Sequence, residues 1–290
     1  GQILQEGINE AGAMADWIAA GTAYSTHGVQ MIPFYIFYSM FGLQRTGDLA
    51  WAAGDSRARG FLVGGTAGRT TLNGEGLQHE DGHSHILSAT IPNCVSYDPT
   101  FAYELAVVVQ DGLRRMVAEQ EDVFYYLTVM NENYEHPAIP AGAEADILKG
   151  MYLFRKGAAS NGPRVQLLGS GTIFREAIAA AGMLKDDWGV EADLWSCPSF
   201  TELARDGHEC TRNHLLGGPP RVCHVTRCLS DTRGPVVAAS DYMRLFAEQI
   251  RPFVTAGGRR YTVLGTDGFG RSDTREQLRH FFEVDRRWIV

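Results

Sequence analysis

Between Glu75 and His85 the chain reads EGLQHEDGHSH, which places three histidines and three carboxylates within eleven residues, with Gly76 and Gly82 loosening the backbone between them. Imidazole nitrogens and carboxylate oxygens are a common donor set for divalent metals, so His79, His83 and His85, flanked by Glu80 and Asp81, are candidate ligands. The same groups suit an acid–base site, because imidazole changes charge near neutral pH. They equally suit a solvated polar loop. His79 and His83 stand four apart and would share one face of a helix. Asp81, Gly82 and Ser84 are poor helix-interior residues, so the segment is expected to be a loop, on which positions four apart do not converge by default. Spacing alone leaves all three readings open.

The elements that must position this loop can be read from periodicity. Apolar residues at spacings of three and four from Leu4 to Ala20 predict an amphipathic helix carrying Glu6 and Glu10 on nearby turns. MIPFYIF follows with the length and aromatic content of a buried strand, then a helix over about Ser39–Ala53 and a short strand, FLVGG. The stretch TAGRTTLNGEGLQHEDGHSH is a long glycine-rich connection, of the kind that is usually functional inside a compact domain. Beyond it NCVSY and DVFYYLTVM read as strands flanking the helix AYELAVVVQDGLRRMVAEQ. Two prolines and little periodicity mark a linker at about residues 131–145. RVQLLGSG, VEADLWSC and YTVLGTDGFG then read as strands, and IFREAIAAAGMLKDDWG as a helix closed by Gly189. SFTELARDG opens another helix with Ser199 three residues before Glu202, a capping-box pattern, and TREQLRHFF gives a last helix. Glycine, proline and arginine interrupt any period from Arg212 to Gly234. Strands alternating with amphipathic helices predict an α/β fold with mostly parallel sheets covered on both faces, and active sites in such folds gather at strand ends.

Composition narrows the function. The 290 residues, 44% hydrophobic, suffice for two domains. Thirty-four acidic against 26 basic residues give a net charge of -8, with the basic residues dispersed, which argues against nucleic acid as a partner. The aromatic run from Met31 to Leu43 is too short to span a bilayer, so a soluble protein is expected. Five cysteines without a CxxC pair suit reduced, cytoplasmic thiols and disfavour a zinc knuckle. The start at Gly1, without methionine or signal peptide, reads as the middle of something longer.

Five stretches carry a family likeness: GQILQEGINEAGA, MIPFYIFYSMFGLQRTGDLAWAAGD, GGTAGRTTLNGEGLQHEDGHSH, SFTELARDG and LGTDGFGRSDTREQLRHFFEVD. Together they resemble the thiamine-diphosphate-dependent pyruvate dehydrogenase subunit of the homodimeric bacterial type, in the transketolase superfamily. The resemblance spans residue 1 to about 285. It implies two three-layer α/β/α domains, a pyrimidine-binding domain over residues 1–135 and a transketolase C-terminal-like domain over residues 146–290. The family's first domain, which holds the diphosphate through magnesium with a GDG motif, has no counterpart: EDG at Glu80, QDG at Gln110 and TDG at Thr266 lack the leading glycine. The magnesium ligands are therefore expected in a missing N-terminal half, supplied by a homodimeric partner or by a complementary chain.

The resemblance also assigns roles. Glu10 in GINEAG aligns with the glutamate that bonds the pyrimidine ring nitrogen and sets the tautomer of the neighbouring amine. Ile8 matches the aliphatic wedge that keeps the cofactor bent, and Phe41 in YSMFG the ring stacked on the pyrimidine. Tyr38 points a hydroxyl toward substrate. His79 matches a histidine near the substrate carboxylate and His85 the transketolase histidine of the same turn, neither of them a metal ligand. His83 is left outside this group. Without the resemblance, Glu10 would pass for an exposed helical glutamate and Ile8 for a core residue.

The implied activity is oxidative decarboxylation of pyruvate with reductive acetylation of a lipoyl group on an acyltransferase partner, a route to acetyl-CoA, with the chain inactive without its missing half. Two alternatives remain: a catalytically silent fragment or assembly subunit, and a metal-dependent hydrolase built on His79, His83 and His85.

Overall fold

The computed structural model describes residues 2–290. The first domain is a parallel four-stranded sheet of β1 (Phe34–Tyr38), β2 (Phe61–Gly65), β3 (Cys94–Tyr97) and β4 (Phe124–Thr128) in the order β1-β2-β4-β3. Its helices are α1 (Glu10–Gly21), α2 (Ala23–Thr26), α3 (Gly42–Asp55), α4 (Ser84–Ala89) and α5 (Ala102–Leu113), the last running on through a π-turn over Arg114–Ala118. Alternation along β4 shows why both faces are covered. Phe124 and Tyr126 pack with Met14, Trp17, Leu43 and Ala50 of α1 and α3, while Tyr125 and Leu127 pack with Val108 of α5 and Ile147 on the opposite side.

After β4, residues 129–143 hold no helix or strand. α6 (Glu144–Leu148) and β5 (Tyr152–Arg155) lead into the second domain, with β6 (Arg164–Gly169), α7 (Ile173–Trp188), β7 (Glu191–Ser196), α8 (Phe200–Leu215), α9 (His224–Ser230) and β8 (Val236–Ala239). α10 (Leu245–Glu248), α11 (Arg251–Val254), β9 (Tyr261–Leu264), α12 (Arg275–Phe281) and α13 (Arg286–Ile289) complete it. Its sheet runs β5-β7-β6-β8-β9, parallel except for β5. α8 and α9 cover one face around Leu168, Phe200 and Val225, and α7, α12 and α13 the other around Leu167, Phe174 and Leu278. Gly189, in the left-handed conformation at φ 65°, closes α7, and Ser199 Oγ accepts from Glu202 N at 3.0 Å to start α8.

Three expectations need correction. The first helix begins at Glu10, not Leu4, because Gly7 turns left-handed at φ 64° and Asn9 Oδ1 caps the helix by accepting from Gly12 N at 3.1 Å. β1 is an edge strand rather than a buried one: Phe34, Ile36 and Tyr38 are exposed and only Phe37 is buried. The histidine stretch is not wholly a loop, since α4 starts at Ser84, where Asp81 Oδ1 accepts from the backbone N–H groups of His83 and Ser84 at 2.9 and 3.0 Å. No helix among the described residues is long and apolar enough to cross a membrane.

Candidate functional site

Tyr38, Phe41 and His79 converge beyond the carboxyl ends of β1 and β2, where parallel sheets ordinarily bind ligands. Tyr38 ends β1, and a tight turn, with Phe41 N donating to Tyr38 O at 2.9 Å, brings Phe41 to the start of α3. Gly42 makes that turn possible, because a Cβ there would fall inside the Phe37 ring. His79 arrives on the long connection after β2, in a single 3-10 turn over Leu77–His79. Its imidazole meets both rings edge-on, with centroids 5.0 Å from Phe41 and 5.8 Å from Tyr38. Nδ1 of His79 is buried without a hydrogen-bond partner.

Glu10 joins this group through a residue that the sequence reading missed. Arg45, four residues after Phe41 and so on the same side of α3, lies 4.2 Å over the Phe41 ring and 2.6 Å from Glu10 Oε1. Its spacing from Phe41 was the available signal. Glu10 stands in the first turn of α1, where the helix N-terminus favours a carboxylate, rather than on an apolar helix face. Ile8 is 98% exposed in the extended lead-in, so it touches none of the others.

The other two histidines lie elsewhere. His83 Nε2 is 2.9 Å from Gln44 Oε1. His85 is fully buried between the domains, stacked on Phe246 at 4.8 Å, with Nε2 2.9 Å from Thr128 Oγ1. Burial lowers its pKa to about 4, which keeps it neutral. In this structure the His85 ring is a core group packed against Tyr126, Tyr242 and Phe246, apart from the Tyr38–Phe41–His79 cluster. Among the described residues no group of three His, Cys, Asp or Glu is arranged to hold a metal.

Next to His79 in the chain, Glu80 begins a set of buried charged side chains whose other members, Arg69, Asp241 and Asp98, the sequence did not single out. Glu80 is wholly buried, and burial pushes its carboxyl up to about 7. Its Oε2 accepts from Arg271 N at 2.6 Å. Arg69, 4% exposed, donates to Gly268 O, and burial lowers its pKa. Asp241 accepts from Thr70 N at 2.8 Å, Thr70 Oγ1 at 2.7 Å and Thr71 Oγ1 at 2.5 Å. Asp98 accepts from Thr128 Oγ1 and Ser170 Oγ, both at 2.7 Å, and burial raises it to about 7. These side chains come from distant parts of the chain, which is why no local motif announced them.

Residues 1–137 match the family model for the pyruvate dehydrogenase E1 component middle domain, and residues 150–285 that for the transketolase-like C-terminal domain. Across the whole chain the sequence is 76% identical to the pyruvate dehydrogenase E1 component of Cupriavidus necator and 61% identical to that of Escherichia coli. The chain belongs to the pyruvate dehydrogenase E1 family. It spans about a third of the length of those two E1 components, 32% of each. Among solved structures, the fold is shared with the transketolase of Campylobacter jejuni, at TM-score 0.70 and 16% identity over 94% of this chain and 37% of that one. A split-gene transketolase described as an inactive β4 tetramer superposes at TM-score 0.68 and 15% identity, covering 98% of this chain and 80% of that one. These likenesses place the two domains in the transketolase fold, as the five sequence stretches imply.

The cluster fits the aminopyrimidine side of thiamine diphosphate. It presents aromatic faces, a carboxyl group at a helix N-terminus and an imidazole with one buried nitrogen unpartnered, beside an exposed apolar edge strand.

Proposed function

We propose that this chain forms the pyrimidine-holding half of the thiamine diphosphate site in a pyruvate-decarboxylating E1 component. When bound, thiamine diphosphate supplies the carbon nucleophile and electron sink that decarboxylation of a 2-oxoacid needs. Glu10 shares a proton with the pyrimidine ring nitrogen, and Arg45 holds the Glu10 carboxyl in place. Phe41 and Ile8 would hold the pyrimidine ring, Ile8 once its exposed lead-in is covered. Tyr38 orients substrate by its hydroxyl, and His79 donates to the substrate carboxylate. His85 serves the reading only by fixing β3 and β4 relative to the second domain. Magnesium and the diphosphate are held by residues outside these 290, on a partner subunit or on further chain. In the assembled enzyme the acetyl group passes to a lipoyl group of the acyltransferase partner, in the cytoplasm, where five free thiols are at home.

The convergence of Tyr38, Phe41 and His79 with the Glu10–Arg45 pair is the observation that carries this reading. The test is exchange of the thiazolium proton for deuterium in the assembled holoenzyme. Glu10→Gln should slow that exchange far more than it weakens pyruvate binding. An unchanged exchange rate removes Glu10 from cofactor activation.

A second reading is favoured by the split-gene relative: the chain alone assembles with itself and is silent. The exposed apolar side chains of β1 and of residues 2–9 suit burial against another copy.

A further inference from the structure

His79 rides on one 3-10 turn, held by His79 N donating to Gly76 O at 2.9 Å and by a longer bond from Glu80 N to Leu77 O at 3.4 Å. A single such turn has little stability of its own. What holds it comes from the second domain. The loop between β9 and α12 reaches across to accept from Arg69 at Gly268 O, to donate from Arg271 N to Glu80 Oε2, and to donate from Ser272 Oγ to Glu75 O. Gly270 lies so close that a Cβ there would press on Leu77 O and come within 2.7 Å of Glu80 Oε2. Glu80 thus carries the middle of this contact from a fully buried position, with its Oε1 unpartnered. Burying a carboxyl group with one oxygen unpaired is costly, and a hydrocarbon side chain would fill the same space without that cost. What hydrocarbon cannot supply is an acceptor for the Arg271 N–H.

Taking His79 to be substrate-facing, as proposed above, we propose that Glu80 is its positioning residue. Its carboxyl clamps the Leu77–His79 turn onto the Gly268–Ser272 loop, so that the second domain sets where the His79 imidazole stands against Tyr38 and Phe41. The second domain then acts on the reaction without touching substrate.

The clamp is tested in the assembled holoenzyme by steady-state kinetics and by amide hydrogen exchange of the segment 73–82. Glu80→Ala should lower kcat about 10- to 100-fold with little change in cofactor affinity. Glu80→Gln keeps an oxygen acceptor for Arg271 N and should recover most of that loss. Gly270→Ala attacks the same contact from the other domain and should lower kcat while raising exchange in residues 73–82. In the double variant His79→Ala/Glu80→Ala the second change should cost nothing further, because it acts through the first. Fully multiplicative losses in the double variant would overturn the proposal, and so would unaltered exchange in Gly270→Ala. If Glu80→Ala does not fold, Glu80→Gln and Gly270→Ala decide the question by the same measurements. A His79→Ala enzyme with full activity would instead sink the substrate-facing reading of His79, while raised exchange in Gly270→Ala would still show the clamp.

Discussion

His79 lies at the centre of a ring-on-ring contact, with its Nδ1 buried and without a hydrogen-bond partner. If that imidazole meets the substrate carboxylate, His79→Ala loses a charge-assisted hydrogen bond worth about 1.5–3 kcal/mol, roughly ten- to over a hundredfold in turnover. His83→Ala should do less, since its ring stands beside Gln44 and Asp81 rather than against Tyr38 and Phe41. Steady-state kinetics of the two variants in the assembled enzyme, with metal content measured alongside, separates this from the metal alternative, in which both would fail alike and release metal. Arg45 is a second residue whose position matters more than its type suggests. It is half-exposed, yet it joins Glu10 to the Phe41 ring, so the two groups proposed to face the cofactor form one unit.

At the scale of elements, α8 offers a direct test of how the domains are joined. Ser199 Oγ caps that helix and also donates to Ser96 O of β3 at 2.6 Å. Ser199→Ala removes both bonds from a buried site and should destabilise the full chain by about 1–3 kcal/mol in chemical denaturation. A loss of a few tenths would show that the cap is dispensable. Asp98 makes the interface pH-dependent. Its folded pKa, about 7, lies above the ordinary 3.8, so the folded state binds the extra proton and stability falls as pH rises from about 4 to 7. Asp98→Asn removes that titration, and thermal melts should show the variant gaining on the parent between pH 5 and 7.5. Parallel curves would contradict it. His85 acts with the opposite sign, losing stability as pH falls from 6.5 toward about 4, but it is common to both proteins. Helix and strand positions such as α7 with Gly189, or α8 with Ser199, were legible because period and cap are local signals. The start of α1 was misplaced because apolar spacing continues through Gly7 and Asn9, which only their backbone conformations reveal as a stop and a cap. β5, β8 and α9 are short, and their sequences carry too few residues to show a period. Tyr38, Phe41 and His79 were legible through the family's motifs. The contacts of Glu80, Arg69 and Asp98 were not, because their partners lie 30 to 199 residues away.

For the whole molecule, Ile8, Phe34, Ile36 and Tyr38 are exposed, as the proposed half-site requires. The apolar edge needs a covering surface, and the sequence has no GDG motif with which to hold a diphosphate through magnesium. Half a site makes a sharp demand on cofactor binding. Isothermal titration of thiamine diphosphate with magnesium into this chain should give no measurable heat of binding, and the same titration should give micromolar affinity once the complementary diphosphate-binding half is supplied. Micromolar, magnesium-dependent binding to this chain by itself would contradict the half-site.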